Sequence, residues 1–187
     1  MVQVREKEVC TADYVATVRD ALRARDDLRA EGKLHRTVPI VVNDRIDVCL
    51  ASGADGVHVG AEDLDVASAR SALGPGKIVG ATAKYPEIAR EAQARGADYV
   101  GCGAIFASST KPGSSVIGLD GLNRVVQSVA IGVVAIGGIT SSNMGSVFEE
   151  CPNIRGVALV SSIFDAPSVE KATNGLRKKI AATTPPC

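Results

Sequence analysis

A chain of 187 residues, 45% of them hydrophobic, is long enough to bury one good core and reads most simply as one domain. Its 21 Lys and Arg balance 21 Asp and Glu, and aromatics make up only 3% with no Trp, so neither a basic face nor stacking platforms invite nucleic acid. No apolar run approaches the ~20 residues of a membrane span, and five cysteines without a C-x-x-C pair point to neither a zinc site nor a disulfide framework. Reduced thiols in an intracellular, by default cytoplasmic, setting are expected. MVQVREKEV lacks the pattern of a secretory signal.

In chain order one pattern repeats: a short β-branched run, then a helical stretch. VQVRE precedes a predicted helix from Ala12 to Ala30. VPIVV precedes DRIDVCLASGA, whose Ile46, Leu50 and Ala54 recur at i, i+4 and i+8. GVHV leads to Val66–Leu73, KIVGAT to Glu87–Arg95, and DYVGCGAIF through a polar loop to Leu119–Ser128. VVAIGG then leads to Ser142–Glu150, and GVALVSS to Ser168–Ile180. Such alternation predicts an α/β fold with a parallel sheet. Without a dinucleotide-type glycine fingerprint it favours a TIM (β/α)8 barrel over a doubly wound sheet. Seven strands are counted where a barrel needs eight, so the first β/α unit is expected to be missing from this chain. The expected layout is a barrel over residues 1–181 and a flexible tail over 182–187, with greater stability in a form extended at its N-terminus.

Three places carry chemistry. Strict alternation in the first strand puts Gln3, Arg5 and Lys7 on one side, a row of donors suited to a phosphate or pyrophosphate, although charged edge strands also look this way. Asp44 and Asp63 each follow a strand, and two carboxylates on one rim suit Mg²⁺ when phosphate supplies further oxygens. Helix caps would account for either acid alone. The loop ASSTKPGSSVIGL offers Ser108, Thr110 and Lys111, while AIGGIT and LVSS place glycine and hydroxyls after the last two strands, where barrels cradle phosphate. His35 lies in a polar segment and His58 in an apolar strand, the latter reading as a packed core histidine.

The ordered set QVREK, NDR, GADGVHVGAEDL, GATAK, GADYVGCGAIFASSTK, VVAIGGIT and GVALVSSIF resembles the thiamine-phosphate synthase family from Val2 to about Ile180. The ending looks most like plant-type and fungal-type versions, often fused to a pyrimidine or thiazole kinase. The resemblance implies joining the diphosphate ester of 4-amino-5-hydroxymethyl-2-methylpyrimidine to 4-methyl-5-(2-phosphooxyethyl)thiazole. Thiamine phosphate and pyrophosphate result, with Mg²⁺ required and a dissociative pathway that needs no general base. It implies that Gln3, Arg5, Lys7, Asn43 and Thr82 hold the pyrimidine diphosphate, Thr82 standing where the family usually has Ser. Asp44 and Asp63 are implied as metal ligands. Ser108, Thr110, Gly138, Val160 and Ser161 are implied to hold the thiazole phosphate, and Lys111 the diphosphate. Arg5, Lys7, Thr82 and Lys111 are the side chains implied to act on the reacting groups.

Two other readings compete with synthesis. A thiazole tautomerase would bind a similar phosphate but needs a base and no cationic row. A binding or assembly module would follow if loss of a strand abolished turnover. A homo-oligomer or a fused thiamine-pathway kinase domain is the expected macromolecular partner.

Overall fold

A computed structural model describes residues 1–107, 113 and 115–183. It divides into two compact units. The first holds Met1–Thr82 with Ala94–Asp98, and the second holds Ala83–Gln93 with Tyr99–Cys187.

The first unit contains β1 (Val2–Val4), α1 (Thr11–Ala30), β2 (Ile40–Asn43), α2 (Ile46–Ser52), β3 (Gly56–Val59), α3 (Val66–Leu73) and β4 (Ile78–Thr82). Its strands lie in the order β1-β2-β3-β4, and every pairing is parallel. Sequence neighbours are therefore sheet neighbours, as right-handed strand–helix–strand crossovers require. Val41, Val42, Val57 and Val79 have no exposure, so these strands are covered on both faces, which explains their unbroken apolar runs. Helix α1 contributes Tyr14 and Val18 to that core, and α2 contributes Val48 and Cys49. The Ile46–Leu50–Ala54 face expected for α2 is corrected here: Leu50 is 53% exposed and Ala54 lies beyond the helix.

A repeated device starts two of these strands. Asp55 donates its backbone N–H to the Ile40 carbonyl at 2.9 Å, while its Oδ2 accepts from the Ile40 N–H at 2.7 Å. The same carboxylate receives Arg25 Nη1 at 2.6 Å. Asp98 repeats this on Val79, donating to its carbonyl at 2.8 Å and accepting from its N–H at 2.7 Å, with Arg70 Nη2 at 2.6 Å. Both acids end a G-A-D triplet. Each bracket satisfies backbone groups at a strand start that would otherwise be left without partners.

The second unit contains α4 (Pro86–Ala94, less its last residue), β5 (Tyr99–Cys102), α5 (Gly118–Val126), β6 (Gly132–Ile136), α6 (Met144–Glu150), β7 (Gly156–Ala158), α7 (Ser161–Phe164) and α8 (Val169–Thr183). Strands β5, β6 and β7 pair in that order, again parallel. Val100, Ile105, Leu122, Val125, Ala135 and Val147 fill its core. The short helix α7 was not expected, and the predicted strand over GVALVSS shrinks to Gly156–Ala158. Cys49, Cys102 and Cys151 are buried, and Cys10 is exposed. Among the described residues no helix is long and apolar enough to cross a membrane.

Candidate active site

In the first unit the candidate residues gather after the C-terminal ends of β1, β2, β3 and β4. Strand β1 stops at Val4, so strict alternation does not extend to Arg5 and Lys7. Gln3, Arg5 and Lys7 are all exposed, on a segment leaving the sheet. Lys7 Nζ donates to Asp44 Oδ2 at 2.6 Å, an ion pair that ties this segment to the end of β2.

Asp44 adopts φ 64°, a left-handed backbone rare for a residue with a side chain. Its N–H donates to the His58 carbonyl at 2.8 Å, which holds that conformation against β3. Such strain persists where its surroundings over-determine it, and it turns the side chain away from the sheet ladder. Asp44 does not cap α2, because Arg45 occupies that position, and no side chain caps the helix there. Nor does Asp63 cap α3: Asp65 does, accepting from the Ala67 and Ser68 N–H groups at 3.0 and 3.2 Å. Asp63 instead curls back, its Oδ2 accepting from the Gly60 N–H at 2.7 Å. The capping explanation therefore fails for both acids.

The two carboxyl groups face one another. Burial raises the Asp63 pKa, and hydrogen bonding and repulsion from Asp44 raise it further. Burial opposes ionisation of Asp44 as well, but hydrogen bonds from Lys7 and Asp63 and the charges of Lys7 and Arg5 hold it below the usual carboxylate range. Like charges this close favour a shared cation or a shared proton. Two hard oxygen donors with a repulsion to relieve fit Mg²⁺, which commonly takes one or two protein carboxylates and fills its octahedron with water and phosphate.

Asn43 is buried beside these groups, paired in register with His58. At the end of β4, the Thr82 hydroxyl lies 3.0 Å from His58 Nε2. Burial pushes the His58 pKa down to about 4, so the ring is neutral at pH 7 and sets the orientation of that hydroxyl. Tyr14 was not singled out from the sequence. Its hydroxyl donates to the Val4 carbonyl at 2.8 Å and accepts from the Asn43 N–H at 3.2 Å. The only signal for it was one aromatic in the first turn of the helix that follows the cationic strand, in a chain with three Tyr.

In the second unit the candidate residues after β6 and β7, Gly138, Val160 and Ser161, are uncharged, while Lys179 of α8 donates to the Ser141 carbonyl at 2.8 Å. Gly138 has φ 63°, and a Cβ there would meet the Ala107 carbonyl oxygen at 2.4 Å. Asn143 Nδ2 donates to the Gly138 carbonyl at 2.9 Å, and its Oδ1 accepts from the Thr140 N–H at 2.7 Å. These bonds fix a glycine turn that only glycine fits. Val160 is 49% exposed and Ser161 begins α7, while Ser162 Oγ donates to the Ile139 carbonyl at 3.0 Å. Ser108, Ser109, Thr110 and Lys111 lie outside the described residues. Lys84 Nζ donates to Ser115 Oγ at 3.1 Å.

Over residues 1–163 the sequence matches the family described as thiamine monophosphate synthase. It is 42% identical over 185 residues to the probable thiamine biosynthetic bifunctional enzyme, chloroplastic, of Oryza sativa subsp. japonica, covering 98% of this chain and 32% of that one. The chain thus spans about a third of the length of the plant relatives it matches. It is 40% identical to thiamine-phosphate synthase 2 of Streptococcus pneumoniae serotype 4 over 180 residues, 96% of this chain and 81% of the relative. Among solved structures, the thiamine phosphate pyrophosphorylase from Pyrococcus furiosus superposes with a TM-score of 0.82 at 36% identity, over 97% of this chain and 82% of that one. The expected α/β barrel class is borne out, with seven strands among the described residues. With parallel strand–helix units in this order, an acid pair after β2 and β3, and such identity over nearly its whole length, this chain belongs to the thiamine-phosphate synthase family.

Proposed function

We propose that this chain joins 4-amino-2-methyl-5-(diphosphooxymethyl)pyrimidine to 4-methyl-5-(2-phosphooxyethyl)thiazole, releasing pyrophosphate and using Mg²⁺. One observation carries the reading. Asp44 and Asp63 face one another beside Lys7 and within the field of Arg5, so cationic side chains and a carboxylate pair of the kind that suits a divalent ion meet after β1, β2 and β3. A binding module has no need of two repelling carboxylates, and a tautomerase has no need of the cationic row.

The chemistry breaks the C–O bond between the pyrimidine methylene and its diphosphate. The electron pair leaves with pyrophosphate, and the thiazole nitrogen supplies the pair for the new C–N bond. Negative charge grows on the leaving group, so groups aimed there lower the barrier most. Arg5 offers a two-pronged donor and Lys7 a point charge, with Lys111 assigned to the same anion through the family pattern. Asp44 and Asp63 would hold Mg²⁺, which would supply Lewis-acid neutralisation of that charge. Asn43 and Thr82 orient the pyrimidine, the Thr82 hydroxyl being aimed by His58. Gln3 completes the row on β1. Gly138, Val160 and Ser161, with Ser108 and Thr110, take the thiazole phosphate. No proton is transferred at the reacting atoms, which agrees with the absence of any assigned base.

The plant relatives are named as bifunctional, which supports a thiamine-pathway partner domain for modules of this type. The test incubates the purified chain with both substrates and Mg²⁺ and follows pyrophosphate. Release that needs both substrates and stops with EDTA is expected. Isomerisation of a thiazole alone, or no reaction while Mg²⁺ and pyrophosphate still bind, would replace this reading with the tautomerase or the binding module.

A further inference from the structure

We infer that Tyr14 is a positioning residue whose buried hydroxyl clamps the ends of β1 and β2, so that Arg5, Lys7 and Asp44 converge on one diphosphate. This rests on the site reading above and goes beyond its assigned residues. The β1–β2 register pairs Val4 with Val42, which puts the Val4 carbonyl and the Asn43 N–H at the last rung of the ladder. The Tyr14 oxygen touches both, at 2.8 Å to the carbonyl and 3.2 Å to the N–H. The Asn43 carbonyl is also 3.2 Å away, but a phenol has one proton and the shorter contact takes it.

Each clamped group is one peptide from a functional side chain. Val4 precedes Arg5, and Asn43 precedes Asp44. Beyond Val4 the cationic segment has left the sheet, so the ladder no longer fixes its direction. Asp44 holds its left-handed backbone between two restraints, its own N–H on the His58 carbonyl and the Asn43 N–H on Tyr14. Tyr14 itself is 1% exposed, so it cannot reach a substrate and acts through these two strand ends and the Glu6 backbone between Arg5 and Lys7. A phenyl ring would pack in the same place without holding either one.

The experiment measures binding of inorganic pyrophosphate with Mg²⁺ by calorimetry to the full chain, to Tyr14→Phe and to Val18→Ala. Val18 is the other buried residue of α1, so its truncation loosens the helix without touching the clamp. Tyr14→Phe is expected to weaken Mg²⁺–pyrophosphate binding about 10- to 100-fold, the scale seen when an outer hydrogen bond to a metal site is lost. KM for the thiazole phosphate should stay at the parental value, and Val18→Ala should melt earlier yet bind pyrophosphate normally. Parental affinity in Tyr14→Phe, equal losses in both variants, or a Tyr14→Phe chain that does not fold would each overturn the inference. A parental chain that fails to bind Mg²⁺–pyrophosphate would overturn the site reading instead.

Discussion

On the proposed reading, the ends of β2 and β3 and the ends of β6 and β7 answer the same problem, holding an anion, in different ways. After β2 and β3 the backbone is bent at a residue with a side chain, Asp44, and the groups presented are charged: two carboxylates, Lys7 and Arg5. After β6 and β7 the bend falls on glycine, the turn is fixed by Asn143 and Ser162 through neutral hydrogen bonds, and the charge beside it is Lys179 of α8, which donates to the Ser141 carbonyl at 2.8 Å. A departing diphosphate gains charge during the reaction and repays strong, fixed countercharge. A phosphate that only needs seating does not change charge, so on the same reading a glycine turn, hydroxyls and an exposed lysine suffice, without burying ionised side chains.

That contrast can be broken by substitution. The largest effect is expected from Asp63→Ala, which should cut turnover about 10²- to 10³-fold while the melting temperature stays close to parental. Pyrophosphate release checks it, and near-parental turnover would sink the metal assignment. Next comes Arg5→Ala, where loss of a charge-assisted contact worth ~1.5–3 kcal/mol should raise KM for the pyrimidine diphosphate and lower kcat together. A change confined to the thiazole phosphate KM would put Arg5 at the wrong substrate. Gly138→Ala sharpens the other side: a left-handed backbone and the 2.4 Å approach to Ala107 should cost about 1–3 kcal/mol of stability and raise the thiazole phosphate KM. If that variant instead weakened pyrophosphate binding, the two regions would not divide the substrates as proposed.

The smallest effect concerns pH. The His58 pKa sits at about 4 in the folded chain against an ordinary 6.5, so the unfolded chain takes up the proton first. Its contribution to stability is therefore complete above pH 6.5 and is lost as pH falls toward 4, by roughly 2 kcal/mol once pH reaches about 5. Melts across that range should decline more steeply for the parental chain than for His58→Gln. Parallel curves would remove the ring from the account.

What could be read from the sequence depended on how local the cause was. Helices α3 and α4 were legible within a residue because their apolar periods, and for α3 the Asp65 cap, are local. Asp44 and Asp63 were legible because a strand–helix–strand crossover carries both strand ends to one rim. The buried face of α2 was not, since seven residues give only two buried positions, too few to define a period. Helix α7 was hidden because LVSSIF continues an apolar run that looks like strand. The ion pair from Lys7 to Asp44 and the clamp from Tyr14 join residues far apart in sequence. The latter ends on backbone groups, which carry no residue-specific signal at all.

The bracket formed by Asp55 on Ile40, repeated by Asp98 on Val79, bears on how such a chain could be rearranged. Each acid stands at the opening of one strand–helix unit but fastens the strand of the unit before it. The natural cassette therefore runs past the apparent boundary, through the third letter of the G-A-D triplet. A circular permutant or chimera cut ahead of that letter would strip the preceding strand of its fastening, whereas one cut just behind it would carry the fastening along.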